Sequence, residues 1–234
     1  MVSRAEVERL IEEKIALARE AEEQGIWITY LIRDPRRADL RGDAAGWPVY
    51  VGQTDEYGRR VRNHLRKSEK LARRGKGIKY RLKALLHAGV VPNFEVLDRQ
   101  PTRLCSLLSE TNYARLCRSK GYDIANQTTL QNVAGPPVTI SDLPVKWLWA
   151  FTLSQAAQDG IQIQLVCRAC GEALFIPMSA FEHLPEPPKD LRGIRDNTEL
   201  LASECTFCGS AGSRRVRLRV APQAPRTRTT PTVT

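Results

Sequence analysis

The chain has 234 residues, of which 42% are hydrophobic and 26% are charged. These shares are typical of globular proteins and argue against wholesale disorder or a collagen-like repeat. No run of 18 or more apolar residues occurs, so no segment is expected to cross a bilayer. The charged first residues lack the apolar core of a secretory signal. We therefore expect a cytoplasmic protein without a membrane partner.

The positive charge is concentrated in one part of the chain. The sequence has 36 Lys and Arg against 26 Asp and Glu, a formal net charge of +10. Residues 58–83 contain twelve basic residues and one acidic residue, which leaves the rest of the chain close to neutral. A local field of this sign attracts polyanions, of which nucleic acid is the commonest. The alternative interpretation is a solvated basic helix surface.

Helical and strand patterns are interleaved in the first part of the chain. An opening helix is expected over 3–24, where Ser3 followed by Glu6 forms a capping-box pattern. β-branched and apolar runs predict strands at 26–32, 49–51 and 94–98, and helical spacing predicts helices at 60–74, 79–88 and 104–120. The first two strands are expected to pair antiparallel across a long loop, 34–48, and residues 122–125 to form a short extended return.

The second part of the chain is predicted less fully. An apolar stretch over 145–158 indicates a buried helix or a strand-helix piece, and 162–166 a strand. The expected fold class is therefore mixed α+β. The expected organisation is an N-terminal helix (1–25), an α/β-type domain (26–133), a connector with an apolar helix (134–160), a cysteine-containing module (161–220) and a disordered tail (221–234), which has almost nothing to bury.

Six side chains in the first domain are candidates for one site: Tyr30, Tyr50, Arg60, His64, Glu110 and Asn126. Arg60 and His64 are four positions apart on a predicted helix, so they share one face. Tyr30 and Tyr50 lie on neighbouring strands and can point towards the same edge if the strand register permits. Each side chain also has an ordinary structural interpretation, such as a packing tyrosine, a surface cation or a turn asparagine.

Residues 26–132 resemble a GIY-YIG nuclease domain. Ile28-Thr29-Tyr30 stands where that family has GIY, Tyr50-Val51-Gly52 stands where it has YIG, and the family's arginine, metal-binding glutamate and late asparagine match Arg60, Glu110 and Asn126. The RxxxH spacing of Arg60 and His64 resembles a restriction-enzyme branch of the family. The sequence departs from the pattern at Ile28, which replaces a glycine, and in the twenty positions between Tyr30 and Tyr50, which imply an insertion over 35–48. A further histidine that some members carry is absent from 76–79.

This resemblance implies a small sheet flanked by helices that hydrolyses phosphodiester bonds in DNA, in restriction or in defence against foreign DNA. Glu110 would hold a catalytic Mg²⁺ or Mn²⁺, and Arg60 would bind the phosphate. Tyr30 would act as general base if nearby cations lower its pKa, with Tyr50 orienting the water or sharing that role. His64 would take a proton or bind phosphate, and Asn126 would brace the site.

The DNA partner would be held by the basic segment. Its expected contacts are Arg59, Arg62, Arg66, Lys67, Arg73, Arg74, Lys76 and Lys79. A homodimer would allow both strands to be cut. Two alternatives stay open: a non-catalytic nucleic-acid-binding protein with a degenerate nuclease domain, and an interaction adaptor, which would leave the basic segment unexplained.

Four of the six cysteines form two CxxC pairs, each followed by glycine: Cys167 and Cys170, then Cys205 and Cys208. Two such turns complete a closed set of four thiolates, which favours a structural zinc ion with no open position. The alternatives are two redox-active pairs, which lack a surrounding βαβ pattern, and His183 as a substitute ligand. Cys105 and Cys117 are expected to be small buried hydrophobes.

Arginines alternate with apolar residues shortly after the second cysteine pair. Arg215, Arg217 and Arg219 predict a strand with one basic face, which suits contacts with phosphate. The alternative is a solvated edge strand whose charge prevents aggregation.

Overall fold

A computed structural model of the chain describes residues 3–40, 42, 45–69, 77–128, 130–182, 184, 186–212 and 214–220. Within these ranges the fold is mixed α+β and contains two three-stranded antiparallel sheets, so the predicted fold class is confirmed. The chain divides between Leu143 and Pro144 into two compact units. The predicted tail, 221–234, and residues 70–76 of the basic segment lie outside the described residues. None of the described helices has the length and apolar character that crossing a membrane requires.

The first unit contains α1 (Arg4–Glu20), β1 (Trp27–Asp34), β2 (Trp47–Thr54), α2 (Tyr57–Glu69), α3 (Ile78–His87), β3 (Asn93–Gln100), α4 (Arg103–Ser119) and a short 3-10 turn (Ile140–Asp142). Each predicted helix and strand of this unit is present with shifted ends. Helix α1 begins at Ser3, whose hydroxyl accepts a hydrogen bond of 3.2 Å from the Glu6 amide. The predicted return at 122–125 is not a strand, but the Ala125 amide donates to the Val49 carbonyl at 2.7 Å.

The strand order in the first sheet is β2-β1-β3, and β1 is antiparallel to both neighbours. Tyr30 lies opposite Gly52, and Ile32 lies opposite Tyr50. Because directly opposed residues share a face and successive residues alternate, Tyr30 and Tyr50 point to the same face of the sheet. The register that the sequence left undecided therefore brings the two phenol rings together.

Helices cover both faces of this sheet. The tyrosine face packs against α1, α2 and α3 through buried apolar side chains such as Ile15, Val61 and Leu82. On the other face, Leu31 and Val51 pack with Ala114 and Cys117 of α4. Helix α2 is amphipathic, since its buried Val61 and Leu65 are four positions apart while Arg59, Arg60 and Arg62 are exposed.

The second unit contains α5 (Val145–Leu148), α6 (Leu153–Gln158), β4 (Ile161–Cys167), β5 (Ala173–Ile176), α7 (Ser179–Glu182), α8 (Leu191–Arg195), α9 (Thr198–Ala202) and β6 (Arg214–Val220). The apolar stretch over 145–158 is two short helices and not one element. Thr152 begins the second helix by accepting a hydrogen bond of 3.2 Å from the Gln155 amide, and this capping box interrupts the stretch. The strand order is β5-β4-β6, and one face of this sheet is buried through Ile163, Leu165 and Leu218.

Candidate functional sites

The hydroxyl of Tyr30 is the centre of the first site. Arg60 donates a hydrogen bond from Nε to this hydroxyl at 3.1 Å, and His64 Nε2 lies 2.8 Å from it. Arg60 and His64 are one turn apart on α2 and face the sheet together, as their spacing predicted. The Tyr30 side chain is completely buried, whereas Arg60 is exposed at the surface above it.

Tyr50 completes an aromatic cluster with Tyr30 and His64. Its ring centroid is 6.4 Å from that of Tyr30 and 5.7 Å from that of His64. The positive charge of Arg60 also acts on Tyr50, where it opposes the effect of burial on the pKa of that phenol. Tyr50 is half-buried, which makes it the phenol that solvent reaches.

Gly52 makes room for both phenols. A Cβ atom at this position would lie 2.5 Å from the Tyr30 hydroxyl oxygen and 2.7 Å from Cε1 of Tyr50. Contacts this short do not occur, so a larger residue would displace at least one ring. The glycine of the YVG tripeptide is therefore required by the packing of the two tyrosines.

The condition for Tyr30 to act as general base, a pKa lowered by nearby cations, is not met. Burial removes water from the phenol and raises its pKa well above the ordinary value, and the Arg60 cation only partly opposes this effect. Burial likewise raises the pKa of Tyr50 to about 12. Both phenols are therefore protonated at neutral pH in the free protein.

His64 is held as a neutral imidazole. Burial, together with the positive charges of Arg60 and Lys79, lowers its pKa to about 3. The Tyr30 oxygen accepts from Arg60, so the Tyr30 proton is free to be donated to Nε2 of the neutral ring. This assignment makes His64 the proton acceptor of the pair and places the imidazole proton on Nδ1.

Glu110 is a buried carboxyl on α4. Burial raises its pKa to about 7, while the Arg60 charge and a hydrogen bond from Gln131 oppose that rise. The carboxyl is electrostatically coupled to Tyr30 and Tyr50 as well. Glu110 is therefore within electrostatic range of the phenols and the guanidinium, which makes it a candidate for the same site.

Asn126 braces the site from the side. Its Oδ1 accepts from the Val51 amide at 3.0 Å, and its Nδ2 donates to the Val51 carbonyl at 2.8 Å. The same Nδ2 donates to Gln131 Oε1 at 3.2 Å, and Gln131 in turn lowers the pKa of Glu110. Gln131 was missed from the sequence, because it lies in a turn and no spacing pattern marks it.

The expected DNA contacts divide into three groups. Arg59, Arg62 and Lys79 are exposed, although Arg59 forms an ion pair with Glu56. Arg66 forms ion pairs of 2.6 Å with Glu8 and Glu12 of α1, which ties α2 to that helix. The remaining predicted contacts lie outside the residues or side chains that the structure describes: Lys67, Arg73, Arg74 and Lys76.

The four CxxC cysteines form one cluster in the second unit. Their sulfur atoms all lie within 4.8 Å of one another, with 3.7 Å both between Cys167 and Cys208 and between Cys170 and Cys205. All four cysteines are free, and no two of their sulfur atoms lie at the bonding distance of a disulfide. This is the only cluster among the described residues in which three or more such ligands could hold a metal ion.

Both CxxC turns have the same backbone geometry. The Gly171 amide donates to the Cys167 carbonyl at 3.0 Å, and the Gly209 amide donates to the Cys205 carbonyl at 2.8 Å. Both glycines have a left-handed φ, +80° and +71°, that other residues rarely adopt. The two turns therefore present their thiols from opposite sides in equivalent ways.

The other predicted cysteine and histidine roles are less uniform. Cys117 is buried, and burial raises the pKa of its thiol to about 11, as expected for a small hydrophobe. Cys105 is only partly buried. His183 lies outside the described residues.

The chain matches no family model, no curated protein and no solved structure, so its own geometry carries the functional argument.

Proposed function

We propose that this protein is a divalent-metal-dependent endonuclease of the GIY-YIG type that hydrolyses phosphodiester bonds in DNA, in restriction or defence. The observation that carries the proposal is the contact of the Tyr30 hydroxyl with both Arg60 and His64, with Tyr50 and Glu110 around it. These side chains come from β1, β2, α2 and α4. A purely structural role would not require a cation, an imidazole and a carboxyl to meet at two phenols.

Arg60 is the phosphate-binding group in this proposal. Its guanidinium is exposed and always charged, and its planar fork matches the oxygens of a phosphodiester. It is anchored at Nε by Tyr30, which leaves the N–H groups of its two terminal nitrogens for a phosphate. The guanidinium can therefore neutralise charge that develops on the phosphate during attack.

The two phenols have different roles. Tyr50 is half-buried and accessible, so it is the phenol that contacts the attacking water. Tyr30 is fully buried and keeps its proton, because its pKa is raised and the pKa of its partner His64 is lowered. Tyr30 and His64 thus act as positioning groups that hold Arg60 beside Tyr50.

Glu110 would hold the catalytic Mg²⁺ or Mn²⁺. A single buried carboxylate fits these ions, because Mg²⁺ is commonly held by one or two carboxylates together with water and substrate phosphate. The pKa of about 7 also fits, since a carboxyl whose burial outweighs the Arg60 charge is a group that a divalent cation would ionise. When bound, the ion supplies Lewis acidity and stabilises the leaving oxygen.

The cysteine cluster would bind one structural Zn²⁺. Four thiolates give a closed tetrahedral set, and both CxxC turns share one backbone geometry. We also propose that two chains act together on duplex DNA, because one such site cuts one strand at a time.

The rival proposal is a non-catalytic nucleic-acid-binding protein. The complete burial of Tyr30 and its raised pKa favour this alternative, because a buried, protonated phenol cannot meet a water directly. It predicts DNA binding without cleavage under every divalent ion.

Plasmid nicking separates the two. With Mg²⁺ or Mn²⁺, the wild-type protein should convert supercoiled plasmid to nicked or linear forms, and Glu110→Gln should lose at least about 100-fold in rate while DNA affinity is retained. Glu20→Gln changes an exposed carboxyl at the end of α1 and serves as the matched control. Cleavage by Glu110→Gln at the wild-type rate would remove Glu110 from the mechanism. DNA binding without any cleavage by the wild type would favour the rival.

A further inference from the structure

The second sheet brings an aromatic ring beside a row of arginines. Arg217 on β6 lies opposite Gln164 on β4, and Gln164 lies opposite Phe175 on β5. Directly opposed residues share a face of an antiparallel sheet, so these three side chains form a row across it. Arg215 and Arg219, two positions to either side of Arg217, lie on the same face.

This face is exposed mainly along its two edges, because Gln164 and Val166 of the central strand β4, which lie on the same face, are buried. Arg215, Arg217 and Arg219 are exposed, as is Gln162, which lies opposite Arg219. Phe175 is 56% exposed, although a phenylalanine in a strand ordinarily packs into a core. Phe175 is not part of the unit's core, which lies on the opposite face and contains Ile163, Leu165 and Leu218.

We propose that this face, defined by Phe175, Gln162, Arg215, Arg217 and Arg219, binds single-stranded nucleic acid. Successive arginines on β6 are about 7 Å apart, which is comparable with the spacing of phosphates along an extended strand. An exposed aromatic ring gives an unpaired base a surface on which to stack. The face joins both elements of sequence-tolerant single-strand recognition, a basic track and a stacking platform.

The ring favours a single strand over other polyanions. In a duplex the bases are stacked on one another and their faces are not available to Phe175, so the ring would add nothing to duplex affinity. An acidic peptide would pair with the arginines but offers no planar base to the ring. The proposal is independent of nuclease activity, because it concerns only residues of the second unit.

Fluorescence anisotropy on the full-length, zinc-loaded chain tests the proposal. The probes are a labelled oligothymidylate and a labelled duplex, without added Mg²⁺ or Mn²⁺ so that neither is cut. Phe175→Leu keeps apolar bulk and removes the ring, and it should weaken oligothymidylate binding by about 5-fold to 100-fold. Duplex binding should stay unchanged, and so should the salt dependence of single-strand binding.

The arginines give a second, different readout. Arg217→Ala should reduce the slope of log affinity against log salt by about 0.7 for the single strand, the value expected for one lost phosphate contact. Leu174→Ala, on the opposite face of β5, and Arg195→Ala, on helix α8, are the matched controls and should leave both measurements unchanged.

Three results would overturn the proposal. One is wild-type affinity of Phe175→Leu for oligothymidylate, and another is an equal loss for the duplex. The third is full displacement of the oligothymidylate by polyglutamate at comparable charge concentration. Cleavage of plasmid by Phe175→Leu in a separate assay with Mg²⁺ keeps the outcome for this face distinct from the outcome for the nuclease site.

Discussion

The two candidate sites are held together by different forces. In the first unit, the Tyr30 hydroxyl, the Arg60 guanidinium and the His64 ring satisfy one another by hydrogen bonds, and Asn126 is bonded to the backbone of β2. In the second unit, four thiols face one another within 4.8 Å. Thiolates at this separation repel one another unless a cation lies between them.

The first site therefore depends on a fold that is stable without it, whereas the second site contributes to the stability of its own fold. The first unit has two buried apolar clusters around its sheet, so its polar site rests on an independent core. The described helices of the second unit have only four to six residues, and a bound metal ion would contribute directly to its free energy of folding. Removing metal should therefore destabilise the second unit strongly and the first unit only a little.

The largest expected effect is in the second unit. Cys205→Ser should abolish binding of about one zinc per chain and unfold this unit, because structural zinc contributes about 10 kcal/mol or more. Hydrogen exchange followed by mass spectrometry should show lost protection at β4 and β6, with α2 and α4 unchanged. Cys105→Ser, outside the cluster, is the control. Retention of zinc and of protection at β4 in Cys205→Ser would contradict the assignment.

The next effect concerns the pH dependence of stability in the first unit. The pKa of Glu110 is about 7 in the folded chain and near 4.5 when unfolded, so the folded state keeps a proton that the unfolded state releases. The stability that this group contributes is complete below about pH 4.5 and is lost as the pH rises through 7. Glu110→Gln should therefore be more stable than the wild type at pH 8, by on the order of 3 kcal/mol, and equal to it at about pH 4.

Urea unfolding at both pH values measures this difference. Added Mg²⁺ should stabilise the wild type at pH 8, because it favours the ionised carboxylate, and should leave Glu110→Gln unchanged. Equal stability of the two proteins at pH 8 without Mg²⁺ would show that the carboxyl titrates normally.

A smaller effect is expected from the packing of the two phenols. Gly52→Ala places a Cβ atom 2.5 Å from the Tyr30 hydroxyl, and overpacking of this kind costs about 1–3 kcal/mol. Tyr30→Ala removes both Tyr30 atoms that the new atom would meet, the hydroxyl oxygen at 2.5 Å and Cζ at 2.6 Å. The double variant should therefore be less destabilised than the sum of the two single variants, and strict additivity in thermal unfolding would contradict the contact.

The smallest effect is expected at Gln131. Its hydrogen bond lowers the pKa of Glu110, so Gln131→Leu should raise that pKa and shift the acidic limb of the cleavage profile upward by up to about one pH unit. Gln127→Leu, an exposed amide in the same loop, is the control. An unchanged profile of rate against pH would show that Gln131 does not influence the pKa of Glu110.

Local features of this protein could be predicted from its sequence. The Ser3 cap, the strand around Tyr30, the shared helix face of Arg60 and His64, and the paired CxxC turns depend on residues within a few positions of one another. Their geometry follows from backbone preferences and helical or strand periodicity. The prediction failed locally at 145–158, where an apolar pattern concealed the cap at Thr152.

The sequence alone determined which elements form and which side chains carry chemistry, because periodicity, capping and cysteine spacing act over short distances along the chain. The tertiary structure alone decided the register that sets Tyr30 beside Tyr50, the burial that raises the pKa of Tyr30, the link from Asn126 through Gln131 to Glu110, and the row that joins Arg217 to Phe175. These features depend on residues far apart in sequence and on the removal of water, and no local pattern records either.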